Sequence, residues 1–278
     1  MSELEEAQPI FPPEIEEIIF SLCAQSDLEN SRNLILVAKR VHQWLIPQLY
    51  EVAIFHSVKV HGQPRYSSDL LKSHGRHVRH IMIWVVDVEE ICFQDPATCL
   101  SWCPNLVNVA LWSSATLYHD IMVDQLLGLH LTHLSFDVTL LHSAIRVRNS
   151  ATLAQVSFPS VTHLELIGLD ITFEAKQIRE YFPSLTHISM RGDRRLSAQD
   201  MLNCWGSRLK LLIWHTDRPT FIVDSGMDPT TSTSVPDDPR VVVLPRTRNC
   251  ADDWNESARG GPRGYWRMAG GQTSSSRC

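Results

Sequence analysis

Thirteen histidines and seven cysteines are the side chains with the widest chemical reach in this 278-residue chain. Imidazoles can ligate a metal, move protons near neutral pH or sense acidification, and paired thiolates can hold zinc. The closest cysteine pair, Cys99-Leu-Ser-Trp-Cys103, has C-x-x-x-C spacing. Leu100 and Trp102 inside it read as a helix face, and no second pair follows at zinc-site spacing, so buried free thiols are expected and no metal. There is no G-x-G-x-x-G, P-loop, nucleophile elbow or H-E-x-x-H in the chain. Without a nucleophile–base pair or a ligand set, the chain is expected to be no enzyme and to need no cofactor. Four histidines do follow a rule: His80, His133, His163 and His187 are each the third residue of a recurring phrase.

The phrase runs Val78–Ile83, Leu106–Leu111, Leu131–Phe136, Val161–Leu166, Leu185–Met190 and Leu209–Trp214. Its first, fourth and sixth positions are apolar in eighteen of eighteen cases, at intervals of 28, 25, 30, 24 and 24 residues. Such intervals fall near those of strand-plus-helix repeats. Candidate helices lie between phrases: 68–74 before Gly75, 120–127 before Gly128, 173–182 before Pro183 and 197–205 before Gly206. Glycine in the left-handed conformation can close a helix. A crossover of a dozen or more residues lets successive strands run parallel. Units that cannot bury an apolar face alone then stack into a solenoid. Alternation turns positions four and six inward and positions three, five and seven outward. The four histidines should then line the outer strand face as a column interrupted by Asn108, as polar side chains on a solvated surface. On the same face Trp84 and Trp112 should sit side by side beside Met82, with Arg191 further along. That exposed aromatic pair is the expected anchor for a protein partner.

Composition bounds the class. Hydrophobic residues make up 44% and charged residues 20% of the chain, enough for a substantial core. The net charge of −6 argues against nucleic-acid binding. The longest apolar run, Ile81–Val86, is far shorter than the roughly 20 residues a membrane helix needs. An acidic start and sparse, odd cysteines fit reduced thiols in the cytoplasm or nucleus. Residues 240–278 carry seven arginines against three acids and read as a solvated basic tail.

The first fifty residues are dense in helix signals. Pro12 and Pro13 suit a first turn, Glu14, Glu16 and Glu17 complement its dipole, and Ile15, Ile18, Ile19 and Leu22 form one apolar stripe. A second helix is expected to carry Leu34, Leu36, Val37 and Ala38. A third should carry Val41, Trp44, Leu45 and Leu49, with Pro47 distorting or ending a turn.

The run Phe11–Leu22, followed by Leu34–Trp44 and Pro47-Gln-Leu-Tyr50, resembles an F-box, particularly the fungal type. The family usually has Leu where Phe11 stands, and many members have Trp where Val41 stands. The resemblance implies docking to the Skp-family adaptor of a cullin–RING (SCF-type) ubiquitin ligase. The matching positions are Phe11, Pro12, Glu14, Ile15, Ile18, Ile19, Leu22, Val37, Lys39, Arg40 and Trp44. Residues 52–215 resemble the degenerate leucine-rich repeats that often follow an F-box in fungal proteins. The segment from Asp252 to Ala269 is similar to their closing "W…G…FW" stretch, in which Trp254 and Trp266 would pack.

The expected fold is α/β: a three-helix F-box over 10–50, then an irregular leucine-rich-repeat-like solenoid with parallel strands over 51–223. A flexible loop (224–239), a last strand and helical cap (240–269) and a disordered tail (270–278) would follow. The resemblance implies a substrate-recruiting ligase subunit that holds an unidentified protein substrate through Trp84, Trp112 and Arg191. The competing expectations are a non-catalytic repeat scaffold whose N-terminal helices only cap the solenoid, and a generic α/β domain. The Ile15/Ile18/Ile19/Leu22 stripe separates the first two: outward-facing in a ligase subunit, packed on the repeats in a cap.

Overall fold

The computed structural model describes residues 11–26, 28–56, 68–85, 96–113, 119–137, 156–168, 174–192, 198–216, 237–245, 250–261 and 264–275. Three helices come first: α1 (Pro13–Ser26), α2 (Leu28–Leu34) and α3 (Lys39–Leu49). Pro13 opens α1, with Glu14 and Glu16 in its first turn. Pro47 lies inside α3, which continues to Leu49. The second helix is shorter than expected: Leu36 and Val37 belong to the turn after it and are exposed. Ala24, Val41 and Leu45 form the inner core of the three helices, with Phe20, Leu34 and Trp44 packed against it.

Eight strands follow in one parallel sheet whose spatial order is the chain order. They are β1 (Val52–His56), β2 (His80–Val85), β3 (Asn108–Ser113), β4 (His133–Asp137), β5 (His163–Gly168), β6 (His187–Gly192), β7 (Leu211–Thr216) and β8 (Val241–Pro245). Crossover helices are α4 (Ser68–His74), α5 (Pro96–Ser101), α6 (His119–Leu127), α7 (Ala175–Tyr181) and α8 (Ala198–Trp205). Each of the six phrases holds one strand of β2–β7. The first strand was not among them, yet Tyr50–Phe55 fits the same frame, with Ala53 and Phe55 buried at the fourth and sixth positions.

Of the three glycines expected to close helices, only Gly206 has positive φ (54°). Gly75 has another reason to be glycine. A Cβ there would lie 2.3 Å from the Trp102 carbonyl oxygen, so the backbones approach as only glycine permits.

One sheet face meets the crossover helices. Ile81, Ile83, Val109, Leu111, Leu164 and Leu166 pack there with Leu71, Leu100, Leu126, Ile178 and Met201. Cys99 and Cys103 are buried in this core, and burial pushes the Cys103 thiol up to about 12, with Cys99 adding to the shift.

The opposite face was expected to be solvated, and it is covered. Helices α9 (Cys250–Ala258) and α10 (Tyr265–Ser275) lie on it. Ala251, Trp254 and Ala258 pack with Val52, Met82, Ala110 and Trp112, while Tyr265 and Ala269 pack with Leu211, Ile213, Val242 and Leu244. The physical reason is general: parallel sheets are stable with both faces buried. Helix α10 also continues past Gly270, where a disordered tail was expected, to Ser275. Most of the expected flexible loop, residues 224–236, lies outside the described residues. No helix among the described residues is long and apolar enough to cross a membrane.

Candidate docking helix and the covered strand face

Helix α1 presents two faces of different character. Phe20 and Ala24 turn toward α2 and α3, and Gln48 of α3 donates to Ser21 Oγ at 2.8 Å. Arg40 Nη2 lies 2.9 Å from Glu16 Oε2, tying the start of α3 to α1. On the other face Ile15, Ile18, Ile19 and Leu22 are 43%, 55%, 42% and 61% exposed, and Phe11, just before the helix, is 50% exposed. The four helical positions recur at helical spacing and so share one side. Pro12, Glu14, Lys39 and Val37 are exposed as well, whereas Trp44 is half-buried against the inner core. Single exposed apolar residues are ordinary, but four along one helix face, with Phe11 before it, form the kind of patch that marks a protein-docking surface.

The residues expected to hold a substrate are placed differently. Trp112 is 5% exposed and Arg191 1%, and Trp84 is half-buried with its ring centroid 5.6 Å from that of Trp112. The two tryptophans are neighbours, as the register requires, but they belong to the second core beneath α9. Arg191 is the centre of a buried polar chain. Its Nε donates to Glu165 Oε1 at 2.6 Å and its Nη1 to Asp253 Oδ2 of α9 at 3.2 Å. Glu165 Oε2 accepts from Ser135 Oγ at 2.7 Å, and Ser135 Oγ accepts from Trp112 Nε1 at 2.8 Å. The guanidinium also lies 5.1 Å from the ring centre of Tyr265. Burial disfavours the Arg191 charge, but Glu165, Tyr265 and Cys250 together more than offset this and raise its pKa above the ordinary value. Burial, followed by Glu165, raises that of Tyr265. Polar side chains that read as solvated are therefore interior groups that pair with one another.

The histidine column forms in the expected order. His80, Asn108, His133, His163 and His187 are successive register partners across β2–β6. The His133–His163 and His163–His187 ring centroids are each 4.1 Å apart, and the planes differ by 17° and 7°. Trp266 of α10 meets His163 and His187 edge-on at 5.2 and 6.1 Å. The threonine before each ring holds it: Thr132, Thr162 and Thr186 Oγ1 lie 2.9, 2.9 and 2.8 Å from the following Nδ1. Each hydroxyl also donates to a carbonyl of the preceding repeat at 3.2 Å, which leaves its oxygen to accept from Nδ1–H. These threonines stood in the phrase at its second position and their role was not read from it.

Burial is the first cause that pushes His80 and His133 down to about 4 and His163 down to about 3, with neighbouring imidazoles adding to it. His187 is lowered too, by burial and then by Lys210. Parallel rings held alike by their threonines keep their lone pairs side by side, whereas a metal needs them to converge at about 2.0–2.1 Å. No group of three or more histidine, cysteine, aspartate or glutamate side chains among the described residues could hold a metal ion. Between the column and the two C-terminal helices remains a cavity of about 220 Å³, lined by His80, His133, His163, Glu165, Ser257 and Tyr265 among others.

No family model and no curated protein matches the chain.

Proposed function

We propose that this chain is an F-box-type, substrate-recruiting subunit of a cullin–RING (SCF-type) ubiquitin ligase. Its N-terminal helices dock on a Skp-family adaptor, and its parallel-strand repeat domain holds a protein substrate. In this reading the chain works in the cytoplasm or nucleus and does no covalent chemistry itself. The observation that carries it is the exposed stripe on α1, at the positions that the F-box resemblance assigns to the adaptor. A mere solenoid cap would press that stripe onto the repeats. The contact with the repeats is made elsewhere: α3 meets the turn at Gly75–His77, and Tyr50 stacks on His74 with centroids 4.1 Å apart. Cap and docking helix are thus separate surfaces of one module. A substrate would meet the repeats away from Trp112 and Arg191, which α9 and α10 cover.

The test is capture of a Skp-family adaptor by the full chain, compared with a Pro12→Ala, Ile15→Asp variant. A carboxylate buried unpaired in an apolar interface costs several kcal/mol. At about 1.4 kcal/mol per decade, adaptor affinity should fall by at least about a hundredfold. Because Ile15 is exposed in the free chain, the fold should be untouched. Equal capture of both proteins would refute the reading.

A further inference from the structure

The side of the sheet where the strands begin carries a groove of about 680 Å³ that lies apart from the α1 stripe and from the covered strand face. It runs from the end of α3 past the turns that precede β2, β3 and β4. Those turns are fixed by a repeated backbone pattern. The amides of Arg79 and His80 share the Glu51 carbonyl, those of Val107 and Asn108 share that of Arg79, and those of Thr132 and His133 share that of Val107. Asn105 Nδ2 adds a bond to the Arg76 carbonyl at 2.7 Å. The groove is therefore already shaped before anything enters it, which lowers the cost of binding.

Its charge is one-sided. Arg76, Arg79, His77 and His130 line it, and the acid among its lining residues is Glu51, 4.0 Å from Arg79. Both arginines and His130 are exposed. The imidazoles beside the arginines are held neutral, and Arg76 Nε donates to His77 Nε2 at 3.1 Å. His77 is held below the ordinary imidazole range by burial and then by Arg76, and His74 by burial and then by His77, Arg76 and His42. A local excess of positive charge on a chain of net charge −6 favours an anionic partner at this place.

We infer that this groove binds a short acidic segment of a partner protein, laid in extended form across the starts of β1–β4 with its carboxylates on Arg76 and Arg79. Three inter-strand steps of about 4.8 Å span about 14 Å, the length of roughly four extended residues. Two permanent cations match carboxylates on such a segment. They are too few for a nucleic-acid backbone, where affinity grows with each phosphate neutralised. The inference does not depend on the adaptor reading, since the groove and the α1 stripe share no residue.

The experiment is fluorescence anisotropy of a labelled hexaglutamate peptide against the full chain at low ionic strength, with hexaserine and oligothymidylate as comparison probes. Hexaglutamate should bind saturably and more weakly as salt is added, and hexaserine should not bind. An Arg76→Glu, Arg79→Glu variant should lose at least about tenfold in affinity. A Lys176→Glu, Lys210→Glu variant, of the same net charge and altered at exposed lysines outside the groove lining, should bind like wild type. Histidine NMR should show the His77 ring titrating at higher pH once the peptide is bound. Absence of hexaglutamate binding, equal losses in the two double variants, or oligothymidylate binding in preference to the peptide would each overturn the inference.

Discussion

Glu165 and Arg191 lie on adjacent interior strands, β5 and β6, 26 residues apart in sequence, a separation that hides the pairing. A buried ion pair loses hydration on both partners, so its net contribution to stability is small. Removing one partner is different, because the other charge is left in the interior. Glu165→Ala should therefore destabilise the protein by about 3–5 kcal/mol. Glu165→Gln combined with Arg191→Met should recover most of that loss. Urea unfolding midpoints of the two variants against wild type measure this. A double variant no better than Glu165→Ala would show that Ser135 and Asp253, rather than the Glu165–Arg191 pair, set the cost. None of this was visible at the level of single residues. Ser135, Glu165 and Arg191 are the types that normally face water, and pairing across repeats lets them be interior, as it does Ser189, whose hydroxyl lies 3.1 Å from His215 Nε2. The signal that could have found them was the cluster Trp254, Tyr265 and Trp266 near the chain's end, which implies an apolar surface elsewhere to receive it.

Among the elements, the turn after α4 shows how a small residue can be required for two opposite reasons. Substituting alanine for glycine near a helix is ordinarily favourable by up to about 1 kcal/mol. At Gly75 the new methyl would meet the Trp102 carbonyl oxygen at 2.3 Å and its carbon at 2.9 Å, both backbone atoms that cannot swing aside. Overpacking of this kind costs about 1–3 kcal/mol, so the steric effect wins. Gly75→Ala should lower the thermal unfolding midpoint, whereas Gly128→Ala, where the nearest atom stands at 3.4 Å, should change it little. Element positions were otherwise largely legible. The phrase placed β2–β7 because apolar residues at its first, fourth and sixth positions have to face one core. The first strand escaped because Tyr50 reads equally well as the end of the helical module. The end of α2 was misjudged because Leu36 and Val37 are apolar, and apolar type alone does not distinguish a buried helix face from an exposed turn.

On the scale of the whole molecule, the column places four titrating imidazoles and Asn108 across five neighbouring strands. Its rings are held neutral well below the ordinary imidazole value of about 6.5, with His80 and His133 at about 4 and His163 at about 3. In that interval the unfolded chain binds more protons than the folded one, so stability rises with pH there. Acidification from pH 7 should leave stability nearly unchanged until about 6.5 and then erode it down to about 3, the lowest value in the column. Each histidine contributes at most about 1.4 kcal/mol per pH unit. Replacing His163 by asparagine should flatten that part of the profile, as followed by urea midpoints across the range.

The path of α9 has a mechanical meaning. A stack of repeats in which each strand touches only its sequence neighbours can peel from either end, one unit at a time. Here the chain leaves β8 at one edge and returns across the array. Trp254, Ala251 and Ala258 reach the residues of β1, β2 and β3, and Asp253 ties to Arg191 in β6. The first strands cannot come away without releasing the last helices, and the last helices cannot lift without uncovering the first strands. A linear array has thereby been closed into a loop of dependence, in which fraying at one edge is opposed by everything between it and the other.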